Sequence, residues 1–158
     1  MRVFSVKNVL AGKEEYTVQF RTAGEYTLSV EYADGFLKLI NVTVAPLEPS
    51  VTVNADGTVT FTDLDDLYII RYAPNPENAA DWTQGTFKRT AGNRYAKAAD
   101  LADDGSYTTP SLPALLYKDP ADGQYKSSDV WSFMVQYYDE SYAIYTVNFT
   151  SGALTRIG

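Results

Sequence analysis

The sequence predicts an all-β, antiparallel fold: one complete two-sheet module preceded by the latter half of a second copy. Three observations carry that prediction. Tyr (13 residues) and Phe (7), together with many Val and Thr, dominate the apolar runs, and branched and aromatic side chains suit a pleated, half-buried surface. The runs alternate in polarity with period two and are separated by Asp-Gly, Pro and Asn signals. Finally, two long segments repeat one another in order and spacing.

Taken in order, Tyr26 to Tyr32 and Ile40 to Val44 read as a hairpin turned by Ala33-Asp34-Gly35. Val44-Ala45-Pro46-Leu47-Glu48-Pro49-Ser50 reads as a linker, stiffened by its two prolines. Val51 to Val53 and Thr58 to Thr62 form a second hairpin with Asp56-Gly57 at its tip. Leu67 to Tyr72 is an apolar run of central-strand type, ended by Ala73-Pro74-Asn75-Pro76. Asn78 to Trp82 suits one helical turn. Arg94 to Ala99 and Gly105 to Thr109 suit short strands, and Lys118 to Gly123 a polar turn.

Trp131, Phe133, Val135 and Tyr137 then share one face of a strand, with Ser132, Met134, Gln136 and Tyr138 on the other. After Asp139-Glu140-Ser141 the chain returns through Tyr145, Val147 and Phe149 on one face. About seven such strands over residues 49–150, each with one buried face, predict a two-sheet sandwich; a barrel is the second choice.

The repeat sets the domain organisation. Tyr26 to Asp34 matches Trp131 to Asp139 at a constant spacing, with Val30/Val135, Tyr32/Tyr137, Asp34/Asp139 and Val42/Val147 identical. Upstream, Leu10-Ala11 pairs with Leu101-Ala102 and Tyr16-Thr17 with Tyr107-Thr108, at a shorter spacing. The difference places an insertion near Leu115 to Ser128 of the second copy. Residues 1–45 are therefore expected to be the C-terminal half of a repeat, 49–150 a complete module and 151–158 a tail. The first copy has no counterpart of residues 49 to about 90. Its apolar stripe then needs a cover from upstream chain, from the second module or from another molecule.

The formal net charge of −7 disfavours phosphate backbones and anionic lipid surfaces as partners. The chain contains no histidine and no cysteine. That removes Ser-His-Asp and Cys-His nucleophiles, disulfides and the usual zinc ligand sets. No apolar run reaches the ~20 residues that span a bilayer. Met1 to Val6 lacks the apolar core of a signal peptide, so the chain reads either as cytoplasmic or as an excerpt of a longer secreted protein. The repeat favours the excerpt.

Asp65-Asp66-Leu67-Tyr68-Ile69-Ile70-Arg71-Tyr72-Ala73-Pro74 and the closing hairpin Trp131 to Phe149 resemble strands in repeats of large bacterial cell-surface proteins. Those repeats look like immunoglobulin or fibronectin type III sandwiches. The resemblance covers about residues 49–149, and 1–45 in part, and it rests on core patterns. It implies a spacer or adhesive module on an extracellular chain, with neighbouring modules as partners. The incomplete first copy and the insertion depart from the family pattern.

Asp63-Leu64-Asp65-Asp66 and Asp100 to Gly105 offer carboxylate oxygens, but neither has the spacing of a calcium loop. They read as solvated turns. Trp82, Tyr95, Tyr138 and Tyr142 are the candidate binding residues, as a platform on which sugar rings stack. No catalytic residue, metal site or cofactor is expected. A structural role ranks first, binding of a glycan or surface protein second and an enzyme third. Self-association through residues 1–45 and an extracellular or cell-surface location complete the expectation, with no nucleic acid and no membrane insertion.

Overall fold

A computed structural model describes residues 2–4, 18, 20 and 23–158, which fall into two compact units, 1–47 and 48–158. The described residues are mostly β-strand in antiparallel sheets, with one short helix and a single 3-10 turn. Leu10, Ala11, Tyr16 and Thr17, on which the upstream part of the repeat rests, lie outside the described residues.

In the first unit, β1 (Arg2–Phe4), β2 (Gly24–Glu31) and β3 (Leu37–Val44) form one sheet in that order. β2 and β3 are an antiparallel hairpin, and β1 lies parallel to β2 with Arg2 opposite Tyr26 and Phe4 opposite Leu28. Tyr26 is buried, but the apolar stripe opens toward the turn: Val30 is 37% exposed and Tyr32 50%.

The second unit starts with β4 (Ser50–Val53), β5 (Val59–Thr62) and β6 (Leu67–Pro74). Helix α1 (Gln84–Arg89) and β7 (Arg94–Ala96) follow, then the two-residue strands β8 (Tyr107–Thr108), β9 (Tyr117–Lys118) and β10 (Tyr125–Lys126). β11 (Val130–Tyr137), β12 (Tyr142–Asn148) and β13 (Ala153–Arg156) close it. One sheet runs β13-β12-β11-β6-β7, a second β4-β5-β8, and β9 and β10 pair as a ribbon. Every ladder in this unit is antiparallel.

The two larger sheets share one core. Val59 and Phe61 of β5 meet Ile70 and Tyr72 of β6 and Trp131, Phe133, Val135 and Tyr137 of β11, all essentially inaccessible to solvent. The Phe61 and Phe133 rings stand 5.4 Å apart across the interface. The Tyr72 and Tyr107 hydroxyls hydrogen-bond at 3.0 Å, joining β6 of one sheet to β8 of the other. This is the face that the alternation of Trp131 to Tyr137 predicted.

The opposite face of the five-stranded sheet is covered too. Phe87 of α1 packs with Ala73, Met134 and Ile144, joined by Trp82 and Ile157. Asn75 pins the covering segment: its side-chain amide donates to the Ser132 hydroxyl at 2.9 Å, and Ser132 hydrogen-bonds Thr146 at 2.9 Å. β11 is thus buried on both faces, not on one as expected.

Four further departures have local causes. The helical turn expected at Asn78 to Trp82 forms at Gln84–Arg89 instead. Asn78 sits in left-handed backbone (φ 52°) and donates its N–H to the Asn75 carbonyl, closing a turn that no helix can start through. Residues 151–158, expected as a tail, supply edge strand β13, and the Ile157 N–H donates to the Ile144 carbonyl. Between residues 50 and 148 there are nine strands where about seven were expected, because strands as short as β9 and β10 carry little sequence signal. The Asp56-Gly57 turn is a three-residue loop with left-handed backbone at Gly57 alone (φ 81°), the type I turn with a glycine bulge.

The hairpins of the two units correspond bond for bond. Tyr26, Leu28 and Val30 pair with Val42, Ile40 and Lys38. Trp131, Phe133 and Val135, at the repeat spacing, pair with Val147, Tyr145 and Ala143. The turns match likewise: Gly35 N–H donates to Tyr32 O and Glu140 N–H to Tyr137 O, while Asp34 and Asp139 accept from the backbone two residues on. The same turn, with the same register of the strands it joins, recurs at Asn54 to Thr58, so what sets the two hairpins apart is the repeated sequence they carry.

Candidate functional site

Two exposed aromatic residues of the second unit, Tyr68 and Tyr138, meet where β6 begins and β11 ends. Gln136 pairs with Ile69, but the next residue, Tyr137, pairs with Leu67. Tyr68 is the extra residue of a β-bulge, a device that re-aims a side chain. Its ring meets that of Tyr138 edge to face, with centroids 5.4 Å apart. Tyr68 is 46% exposed and Tyr138 69%.

The backbone holding this pair is strained. Asp63, Asp66 and Glu140 have φ of 57°, 60° and 69°; left-handed backbone costs an L-residue such as Glu140 roughly 1–2 kcal/mol, and aspartate less. Surrounding bonds hold them there. The Tyr138 N–H donates to Asp66 O at 3.0 Å, and the Tyr137 hydroxyl donates to Asp63 O at 2.8 Å. Strain of this kind concentrates where a surface is set for a purpose. Asp65, Asp66 and Glu140 are exposed beside the tyrosines. Aromatic faces next to carboxylate acceptors suit a sugar ring, which offers C–H faces and hydroxyl donors.

The four residues singled out in the sequence fare differently. Tyr138 lies at the aromatic pair. Tyr142, 45% exposed, pairs in register with Gln136, on the side of the hairpin from which Tyr138 projects. Tyr95 is 60% exposed on edge strand β7, between Arg71 and Lys97 at 6.0 and 5.9 Å from its ring. Three strand spacings, roughly 14 Å, separate its strand from that of Tyr142. Trp82 is half-buried against Phe87, centroids 4.8 Å apart, as part of the outer core. The four do not form one platform. Tyr68 was missed because its run reads as wholly core, although alternation from Leu67 and Ile69 turns it outward.

Three carboxylates of the acidic clusters are engaged by nearby hydroxyl or backbone donors. Asp63 accepts from the Ser50 hydroxyl at 2.6 Å, Asp100 from the Lys97 N–H at 2.8 Å and Asp104 from the Ser106 hydroxyl at 2.6 Å. Hydrogen bonds from Ser106 hold the Asp104 carboxyl below its ordinary pKa. Among the described residues no group of three His, Cys, Asp or Glu side chains is placed to hold a metal ion. Likewise, none of their buried side-chain N or O atoms lacks a partner. No helix of the described residues is long and apolar enough to cross a membrane. No protein-family model, curated protein or solved structure matches the chain.

Proposed function

We propose that the chain is a non-catalytic structural portion of an extracellular bacterial surface protein, built from immunoglobulin- or fibronectin type III-like sandwich repeats. The observation that carries this reading is the repeat: Val30/Val135, Tyr32/Tyr137, Asp34/Asp139 and Val42/Val147 are identical and fall at corresponding places of one hairpin in each unit. Modular arrays are built this way. Glu48, where the second unit begins, forms an ion pair with Arg156 at the end of β13, so the two ends of this unit lie at one pole.

The exposed Tyr68–Tyr138 pair supports a second reading, a glycan- or protein-binding module. An array of glycans and surface proteins probed with the whole chain separates the two. The structural reading expects no saturable binding. Saturable binding that Tyr68→Ala and Tyr138→Ala both abolish, without loss of folding, replaces it with the second.

A further inference from the structure

The hairpin of the first unit has the register of β11–β12 without a covering sheet among the described residues. In the second unit the stripe Trp131, Phe133, Val135 and Tyr137 is sealed by β5 from the facing sheet and flanked by β6, which pairs along β11 from Trp131 to Tyr137. In the first unit the matching positions Val30 and Tyr32 stay open, 37% and 50% exposed. The slot that β6 fills beside β11 is held beside β2 by β1 alone among the described residues, over three register pairs and in the parallel sense. Parallel pairing is slightly less stable per residue. At the upstream repeat spacing, residues 2–4 fall on Asn93 to Tyr95, within one residue of β7, which flanks β6 from outside.

We propose that the face and edge of β2–β3 are an acceptor for a β-hairpin and following strand of the pattern of residues 50–74. Such a segment, joined ahead of residue 1, inserts its last strand antiparallel to β2, moves β1 one place outward to the position of β7, and lays its hairpin over Leu28, Val30 and Ile40. The chemistry required of this partner is that of Val59, Phe61, Ile70 and Tyr72: bulky apolar side chains at alternate positions, capable of backbone pairing. A second whole molecule is the wrong donor, because its own residues 50–74 fill its own core, with Phe61 and Ile70 wholly buried. The proposal rests on the repeat relation and is independent of any surface or binding role.

The test adds a second copy of residues 49–92 ahead of residue 1 of the full chain. Amide exchange of residues 28–31 is expected to slow by roughly tenfold or more, with the protein monomeric by light scattering. The substitutions F61D and I70D, made only in the added copy, are expected to abolish that protection and leave the exchange of β11 unchanged. Unchanged exchange at residues 28–31, or equal protection from the F61D/I70D donor, overturns the proposal. So does protection that arises in the unextended chain by concentration-dependent dimerisation, which would make a second copy the occupant.

Discussion

The Tyr137 hydroxyl donates to the Asp63 carbonyl oxygen across 2.8 Å, joining the end of β11 to the loop that leaves β5. It ties the two sheets at one pole and helps hold Asp63 in left-handed backbone. Tyr137→Phe keeps the buried ring and loses only this bond. A loss of about 1 kcal/mol is expected, read from the urea midpoint. Tyr125→Phe, at a ring 70% exposed, is the matched control and should change stability by less than about 0.5 kcal/mol. Equal effects would remove the sheet-tying role.

The buried tyrosines also set an alkaline limit. Burial holds the Tyr107 hydroxyl protonated well above its ordinary value of 10.0, and its hydrogen bond with Tyr72 adds to this. Burial acts likewise on Tyr137, followed by the nearby Tyr145 and Asp63. In the unfolded chain both protons leave near pH 10, while the folded chain keeps them. This contribution is thus complete below pH 10 and is lost as pH rises from there toward the folded-state values. The urea midpoint should fall steeply above pH 10. Tyr107→Phe should flatten that fall while lowering the midpoint at pH 7.

Three neighbouring positions on β11 separate its two faces. Val135 is wholly buried against the facing sheet, and an aspartate there would be an unpaired buried charge. Met134 is 1% exposed beneath Phe87 and Ile144, so Met134→Asp should unfold the second unit as Val135→Asp does. Gln136 is half-buried, and Gln136→Asp should leave a cooperative transition within a few degrees of the parent. Circular dichroism melts of the three variants check this. Tolerance of Met134→Asp would mean that the outer cover is not packed in solution.

That case shows what the sequence made legible. Alternation placed Trp131, Phe133, Val135 and Tyr137 on the main core because period two is a local property of the strand. The second cover was not legible. Phe87 and Trp82 lie in a stretch without periodicity, and they reach the sheet through Asn75, whose role rests on a long-range bond to Ser132. The candidate site divided in the same way. The exposure of Tyr138 and Tyr142 followed from their place around a turn. Tyr68 was marked outward by alternation with Leu67 and Ile69 but lay in a run that reads as wholly core, whereas Trp82 depended on packing, which leaves no mark in local pattern. β13 was overlooked because Ala153 to Arg156 is short and exposed throughout.

Gly35 and Glu140 occupy the same place in two hairpins of one register, with φ of 84° and 69°. Glycine adopts this backbone freely, whereas glutamate lacks both that freedom and the short side chain that eases Asn or Asp into it. Nothing in the fold requires the glutamate side chain: Glu140 is exposed, and its described hydrogen bond is made by its backbone N–H to Tyr137 O. Glu140→Gly should therefore relieve strain, offset in part by the greater freedom of glycine in the unfolded chain. A net stabilisation of up to about 1 kcal/mol is expected. The converse change, Gly35→Glu, should weaken the first hairpin by a similar amount. Amide exchange read separately at Val135 and Val30 distinguishes the two effects. If Glu140→Gly lowers protection at Val135, the side chain has a contact or role at the Tyr68–Tyr138 surface that outweighs its strain. The substitution then becomes the sharper probe of that surface in a binding assay.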